Sequence, residues 1–142
     1  MDRTIEQAAE EIGMFCRMQL YSKKELPIRS SEMGLLIFIS KQQEEVTPLK
    51  ISQFFKIAKP SVTSMVNELL KREYLVKQPS PSDGRSYSLV LTEKGKKLVI
   101  AARDEYFKDI ALLEEKMGVM EFTQLIDSLK KANRLLSEER QG

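Results

Sequence analysis

The chain has 142 residues, 42% apolar and 31% charged, which suits one folded unit with a buried core and is too polar for a membrane protein. It has no histidine and one cysteine, Cys16. The usual Ser/His and Cys/His nucleophile pairs, the familiar zinc ligand sets and an intrachain disulfide are therefore excluded.

No Gly-rich phosphate loop, bilayer-length apolar run or secretory leader is seen, and the many carboxylates read as solvated helix faces. The expectation is a cytoplasmic protein that is not an enzyme and needs no metal or cofactor. The net charge of +2 hides an asymmetry. Residues 50–103 hold eleven Lys/Arg against four acids, a local +7 that leaves −5 for the rest. A basic middle between acidic ends suits one face for a polyanion.

Residues 4–24 carry Ile5, Ala8, Ala9, Ile12, Phe15, Cys16 and Leu20 at helical spacing, with Thr4 and Gln7 as a candidate capping box. Pro27 marks the break after them. A second helix is predicted over 31–43, capped by Ser30 or Ser31. Its run Leu35–Ile39 is apolar nearly all round, so it is expected at the centre of the core. Thr47-Pro48 reads as an N-cap followed by a first-turn proline, opening a short helix with Ile51, Phe54 and Phe55 inward. After a tight connection, Pro60 opens a helix to about residue 72, with Val62, Met65, Val66, Leu69 and Leu70 as its buried stripe.

The period then changes. Residues 75–78 are strand-like, 79–84 are turn-rich, and Tyr87, Leu89 and Leu91 alternate with Ser86, Ser88 and Val90. These should pair as a hairpin. A long helix follows from Thr92 to about Met117, where Gly118 can stop it. A last helix spans 121–139, with Phe122, Leu125, Ile126, Leu129, Ala132 and Leu136 on one face. The expected fold is mainly α with a small β-hairpin.

Two short helices joined by a tight turn, with a hairpin directly after, form a winged helix-turn-helix pattern. In such a motif the second helix lies in the major groove of DNA. The face opposite its apolar stripe carries Pro60, Ser64, Asn67 and Lys71, flanked by Ser61, Thr63 and Glu68. Short hydroxyl and amide side chains suit base edges, and Lys59, Lys71 and Lys77 suit phosphates. An ordinary solvated helix has a similar composition, so the helix alone does not decide. The hairpin tip adds Arg85, which can enter a narrow minor groove, with Asp83 placed to hold the guanidinium or stiffen the turn.

Lys59-Pro60-Ser61-Val62-Thr63, Leu69, Tyr74-Leu75-Val76-Lys77, Pro81-Ser82-Asp83-Gly84-Arg85 and Leu91-Thr92-Glu93-Lys94-Gly95 together resemble the signature of the MarR family, the multiple-antibiotic-resistance regulators. The motifs cover 59–95, and the helix order fits over the whole chain. The resemblance implies a winged helix-turn-helix lobe at 31–95 and a helical dimerisation region made of 1–30 and 96–142. It also implies a homodimer on a double-stranded, palindromic DNA operator, with half-sites about 10 bp apart. The apolar stripes of the terminal helices, including Ile5, Ala9, Ile12, Phe122, Ile126, Leu129 and Leu136, would form the dimer base.

Many proteins of this kind are repressors that release DNA when a small aromatic or amphipathic ligand binds. Helix 31–43 and the start of helix 92–117 should border such a pocket. Others sense oxidants through a cysteine in the first helix, where Cys16 lies. That position is on or beside the apolar stripe, so a small buried hydrophobe is the simpler role for it. Two positions depart from the pattern. Glu73 stands where the family often has glycine, which implies a strained helix end, and Gly84 stands where a second wing arginine is common. A winged helix that binds protein instead of DNA remains the alternative from another class.

Overall fold

In the computed structural model, residues 3–22, 26–80 and 86–141 are described. Six helices and a hairpin follow in order: α1 (Arg3–Ser22), α2 (Ser30–Lys41), α3 (Pro48–Phe55), α4 (Lys59–Lys71), β1 (Leu75–Pro79), β2 (Tyr87–Leu91), α5 (Glu93–Met117) and α6 (Val119–Gln141). The chain forms two compact units, Met1–Tyr106 and Phe107–Gly142.

In the first unit the core is built where the apolar run predicted it. Met33, Leu35 and Leu36 of α2 meet Ile51 of α3 and Val62, Val66 and Leu69 of α4, all fully buried. Burying side chains of this size stabilises by roughly 1.5–3 kcal/mol each relative to exposure. The antiparallel strands pair Leu75 with Leu91 and Pro79 with Tyr87 at the two ends of the register. Leu75 and Leu89 turn inward onto that core.

Several local expectations are corrected. The helix of α1 already includes Arg3, so Thr4 lies inside its first turn and not before it. α2 is capped one residue earlier than expected. Arg29 is its N-cap, and its backbone N–H donates to Glu32 Oε1 at 3.0 Å. An acid three residues into the helix can satisfy a free N–H without a Ser or Thr before it. Phe54 is exposed, because α3 is short and only Ile51 is fully buried on it; the ring instead packs 4.3 Å from Phe38 and 4.9 Å from Phe55. Ser88 is buried as well as Leu89, so β2 does not alternate simply between core and solvent; the Leu89 N–H donates to the Val46 carbonyl at 2.8 Å.

Other readings hold. Thr47 Oγ1 accepts from the Lys50 N–H at 3.3 Å, with Pro48 opening α3. In the second unit, Gly118 ends α5 with φ +90, a backbone that only glycine adopts freely, and its N–H donates to the Glu114 carbonyl at 3.0 Å.

Candidate nucleic-acid interface

The turn between α3 and α4 is held by local bonds. Lys56 takes a left-handed backbone (φ 55, ψ 46) as the C-cap of α3. The Ser52 hydroxyl donates to the Ile57 carbonyl at 2.8 Å, and the Ile57 N–H donates back to the Ser52 carbonyl at 3.3 Å. Pro60 then sits in the first turn of α4, where its missing N–H costs nothing.

With Val62, Val66 and Leu69 pinned in the core, the opposite side of α4 must face outward. Lys59, Pro60, Ser61, Thr63, Ser64, Asn67 and Lys71 are all exposed. The structure therefore brings every predicted residue of this helix onto one open surface. Thr63 Oγ1 donates to the Lys59 carbonyl at 3.0 Å, which orients its methyl group and oxygen beside the helix start. The only acid among the exposed residues of α4 is Glu68.

On β1, Lys77 is exposed, with its ammonium 4.4 Å from the Tyr87 ring centroid. This cation–π contact fixes the cation near the strand while leaving its charge intact. Asp83 and Arg85, the predicted tip residues, lie outside the described residues.

Some of the basic residues counted between 50 and 103 bond within the chain. Lys94 Nζ donates to the Arg72 carbonyl at 2.7 Å and lies over the Tyr74 ring. Arg72 donates to the Pro27 carbonyl at 3.0 Å. Lys50 donates to the Glu45 carbonyl at 2.7 Å and sits 3.8 Å from Glu44. Lys96 pairs with Glu93 at 3.3 Å. Arg72 and Lys94 reach carbonyls 45 and 22 residues away, a role that no local sequence signal announces.

Sequence reasoning also missed the contact between Ser80 and Glu45. The buried Ser80 hydroxyl donates to Glu45 Oε2 at 2.8 Å, across 35 residues of sequence.

A groove of about 720 Å³ opens beside the interface. Ser30, Ser31 and Gly34 of α2, Met65 of α4 and Tyr106 of α5 line it, as do Pro60, Ser61 and Ser64 from the exposed face. Burial pushes the Tyr106 hydroxyl above the ordinary phenol range, so it is neutral and can donate a hydrogen bond.

A helix pair with a tight turn, an exposed polar second helix and a hairpin following it define a winged helix-turn-helix protein. Residues 26–86 match the model of the MarR family. The uncharacterised HTH-type transcriptional regulator YhbI of Bacillus subtilis (strain 168) is 30% identical over 100 residues, which span 70% of this chain and 65% of that protein. Among solved structures, a MarR/EmrR family regulator from Acinetobacter sp. ADP1 superimposes with a TM-score of 0.80 at 22% identity, covering 96% of this chain and 99% of the other. The S. aureus MepR–DNA complex gives 0.77 at 18% identity, covering 96% and 98%. At these identities the solved structures speak for the fold.

Proposed function

We propose that this chain is a transcription regulator that binds double-stranded DNA in a sequence-specific way, as a homodimer on a palindromic operator in the cytoplasm. The observation that carries this reading is the exposed face of α4. Ser64 and Asn67 can reach base edges there, between Lys59 and Lys71, which suit phosphates. MepR, similar in fold, was solved as a DNA complex. Asp83 and Arg85 complete the interface at the wing tip, with Arg85 in the minor groove.

The dimer base is built from 1–30 and 96–142. Ile5 and Ile12 of α1 are 56% and 66% exposed, and Leu129 and Leu136 of α6 are 41% and 58% exposed. Apolar side chains at this spacing are what a second copy would bury, with Ala9, Phe122 and Ile126 beside them.

The regulator acts as a repressor relieved by a small aromatic or amphipathic ligand in the groove lined by Met65 and Tyr106. Because Pro60, Ser61 and Ser64 border both the groove and the exposed face, a ligand there bears directly on the helix that reads DNA. Cys16 is exposed and not the buried hydrophobe expected of it, and its thiol supports a second route to relief, by oxidation. Peroxide-induced DNA release unchanged in Cys16→Ser would remove that route.

The test of the main reading is binding to a duplex from this gene's own upstream region over a salt series, with Arg85→Ala alongside. Log affinity should fall linearly with log salt, and the variant should bind more weakly with a slope shallower by about one. A protein that binds neither this duplex nor random DNA at low salt is instead a winged helix serving protein contacts.

A further inference from the structure

The connection between α2 and α3 is bonded to both halves of the proposed interface. Toward the helix-turn-helix, Thr47 caps α3, and Lys50 from its first turn donates to the Glu45 carbonyl at 2.7 Å. Toward the hairpin, the Val46 carbonyl accepts from the Leu89 N–H at 2.8 Å, and Glu45 Oε2 accepts from the Ser80 hydroxyl at 2.8 Å. Ser80 is 6% exposed and is the last described residue before the tip. Its N–H also donates to the Ser86 carbonyl at 3.3 Å, which closes the base of the tip.

We propose that Glu45 and Ser80 are a positioning pair whose hydrogen bond sets the angle of the wing against α3 and α4. The inference rests on the reading of the wing as a DNA-contacting element. A two-stranded hairpin has little rigidity of its own and twists readily. The Leu89–Val46 bond holds it at one level. Ser80 lies three pairs nearer the tip than Leu89, since Leu89 pairs with Lys77 and Ser80 bonds to Ser86. A second bond at that level restrains the rotation that the first allows. A hydroxyl-to-carboxylate bond is short and strong compared with a neutral one, which suits a restraint. The pair acts on DNA only through the tip, where Arg85 lies in sequence.

The experiment uses fluorescence anisotropy with a duplex that the wild-type protein selects from a randomised pool. Ser80→Ala and Glu45→Ala are each expected to bind roughly threefold to tenfold more weakly. Glu45→Gln keeps an oxygen that accepts from Ser80 and should retain most of the affinity. Ser80→Ala combined with Arg85→Ala should bind no more weakly than Arg85→Ala alone, because the pair works through the tip. Thermal melting of each variant identifies one that fails to fold, and either member of the pair then serves for the other.

If Arg85→Ala binds like wild type, the wing reading and this proposal fall together. If Arg85→Ala weakens binding while Ser80→Ala and Glu45→Ala do not, the positioning pair falls and the wing reading stands. Losses that add in the double variant overturn the pair, as does a Glu45→Gln variant as weak as Glu45→Ala.

Discussion

Among the described residues, Lys56 and Glu73 hold left-handed backbones without being glycine, at φ 55 and φ 66. Each follows the end of a helix of the helix-turn-helix. At Glu73 the conformation is imposed by its neighbours: its N–H donates to the Leu70 carbonyl at 3.1 Å, the Tyr74 N–H donates to Leu69 at 2.9 Å, and its own carbonyl accepts from Thr92 Oγ1 at 2.6 Å. None of these bonds needs the Glu73 side chain, which is exposed. Glu73→Gly should therefore stabilise the protein by about 1 kcal/mol, a rise of roughly 3 °C in melting temperature that calorimetry can resolve.

Tyr106 gives a pH signature. Its hydroxyl is raised in the folded state by burial. A group raised on folding contributes stability that is complete below its unfolded value, about pH 10 for a phenol, and is lost as pH rises through the folded value. Chemical denaturation across the alkaline range should show wild type losing stability more steeply above about pH 10 than Tyr106→Phe. Parallel curves for the two proteins would mean that Tyr106 titrates alike in both states.

At the scale of elements, the segment Leu91–Gly95 is a clasp. Thr92 accepts from the Gly95 N–H at 3.1 Å as the cap of α5, donates to the Glu73 carbonyl, and its N–H donates to the Tyr74 carbonyl at 3.1 Å. Lys94 reaches the Arg72 carbonyl. Gly95 is buried against the Tyr74 carbonyl so closely that a Cβ would collide with that oxygen. Gly95→Ala should destabilise by about 1–3 kcal/mol, measured by urea unfolding, because backbone and not a flexible side chain must yield. The motif that helped to suggest the family thus fastens the exit of the hairpin to the end of α4.

The helices, their proline starts and the glycine stop at Gly118 were legible because their signals are local: spacing of apolar residues, caps and turn residues within a few positions. The outward face of α4 was legible for the same reason, since fixing Val62, Val66 and Leu69 inward fixes Ser64 and Asn67 outward. The partners of Ser80, Arg72 and Lys94 were not legible. They are 35, 45 and 22 residues away, and chain separation of that length leaves no periodic trace. Phe54 shows a related gap: helical spacing says which side a ring lies on, and only the neighbouring elements say whether anything covers it.

For the whole molecule, the two chain ends share one property. α1 exposes Ile5, Ile12, Met18 and Leu20, and α6 exposes Leu129, Leu135 and Leu136. A chain that left all of these in water would carry apolar patches well beyond ordinary single exposed residues. The proposed homodimer would bury these faces. Leu129→Glu with Leu136→Glu should shift sedimentation from a dimer toward a monomer at micromolar concentration. DNA affinity should fall far more than for a wing variant, because two half-sites are then bound independently. A variant that still sediments as the wild-type dimer would move the dimer base elsewhere.

The backbone bond from Leu89 to Val46 has one more consequence. β2 pairs with β1 along one side and is met by Val46 at one point on the other, which leaves the far side of β1 as the longer open edge of the hairpin. An unpaired strand edge invites another chain to add itself there, and lysine and proline are the residues that discourage it. β1 carries both, as Lys77 and Pro79. Lys77 can thus serve as a phosphate contact and as a guard against sheet extension, so replacing it with glutamine and with valine are different experiments. Glutamine removes the charge, whereas valine also turns the edge into an adhesive strand.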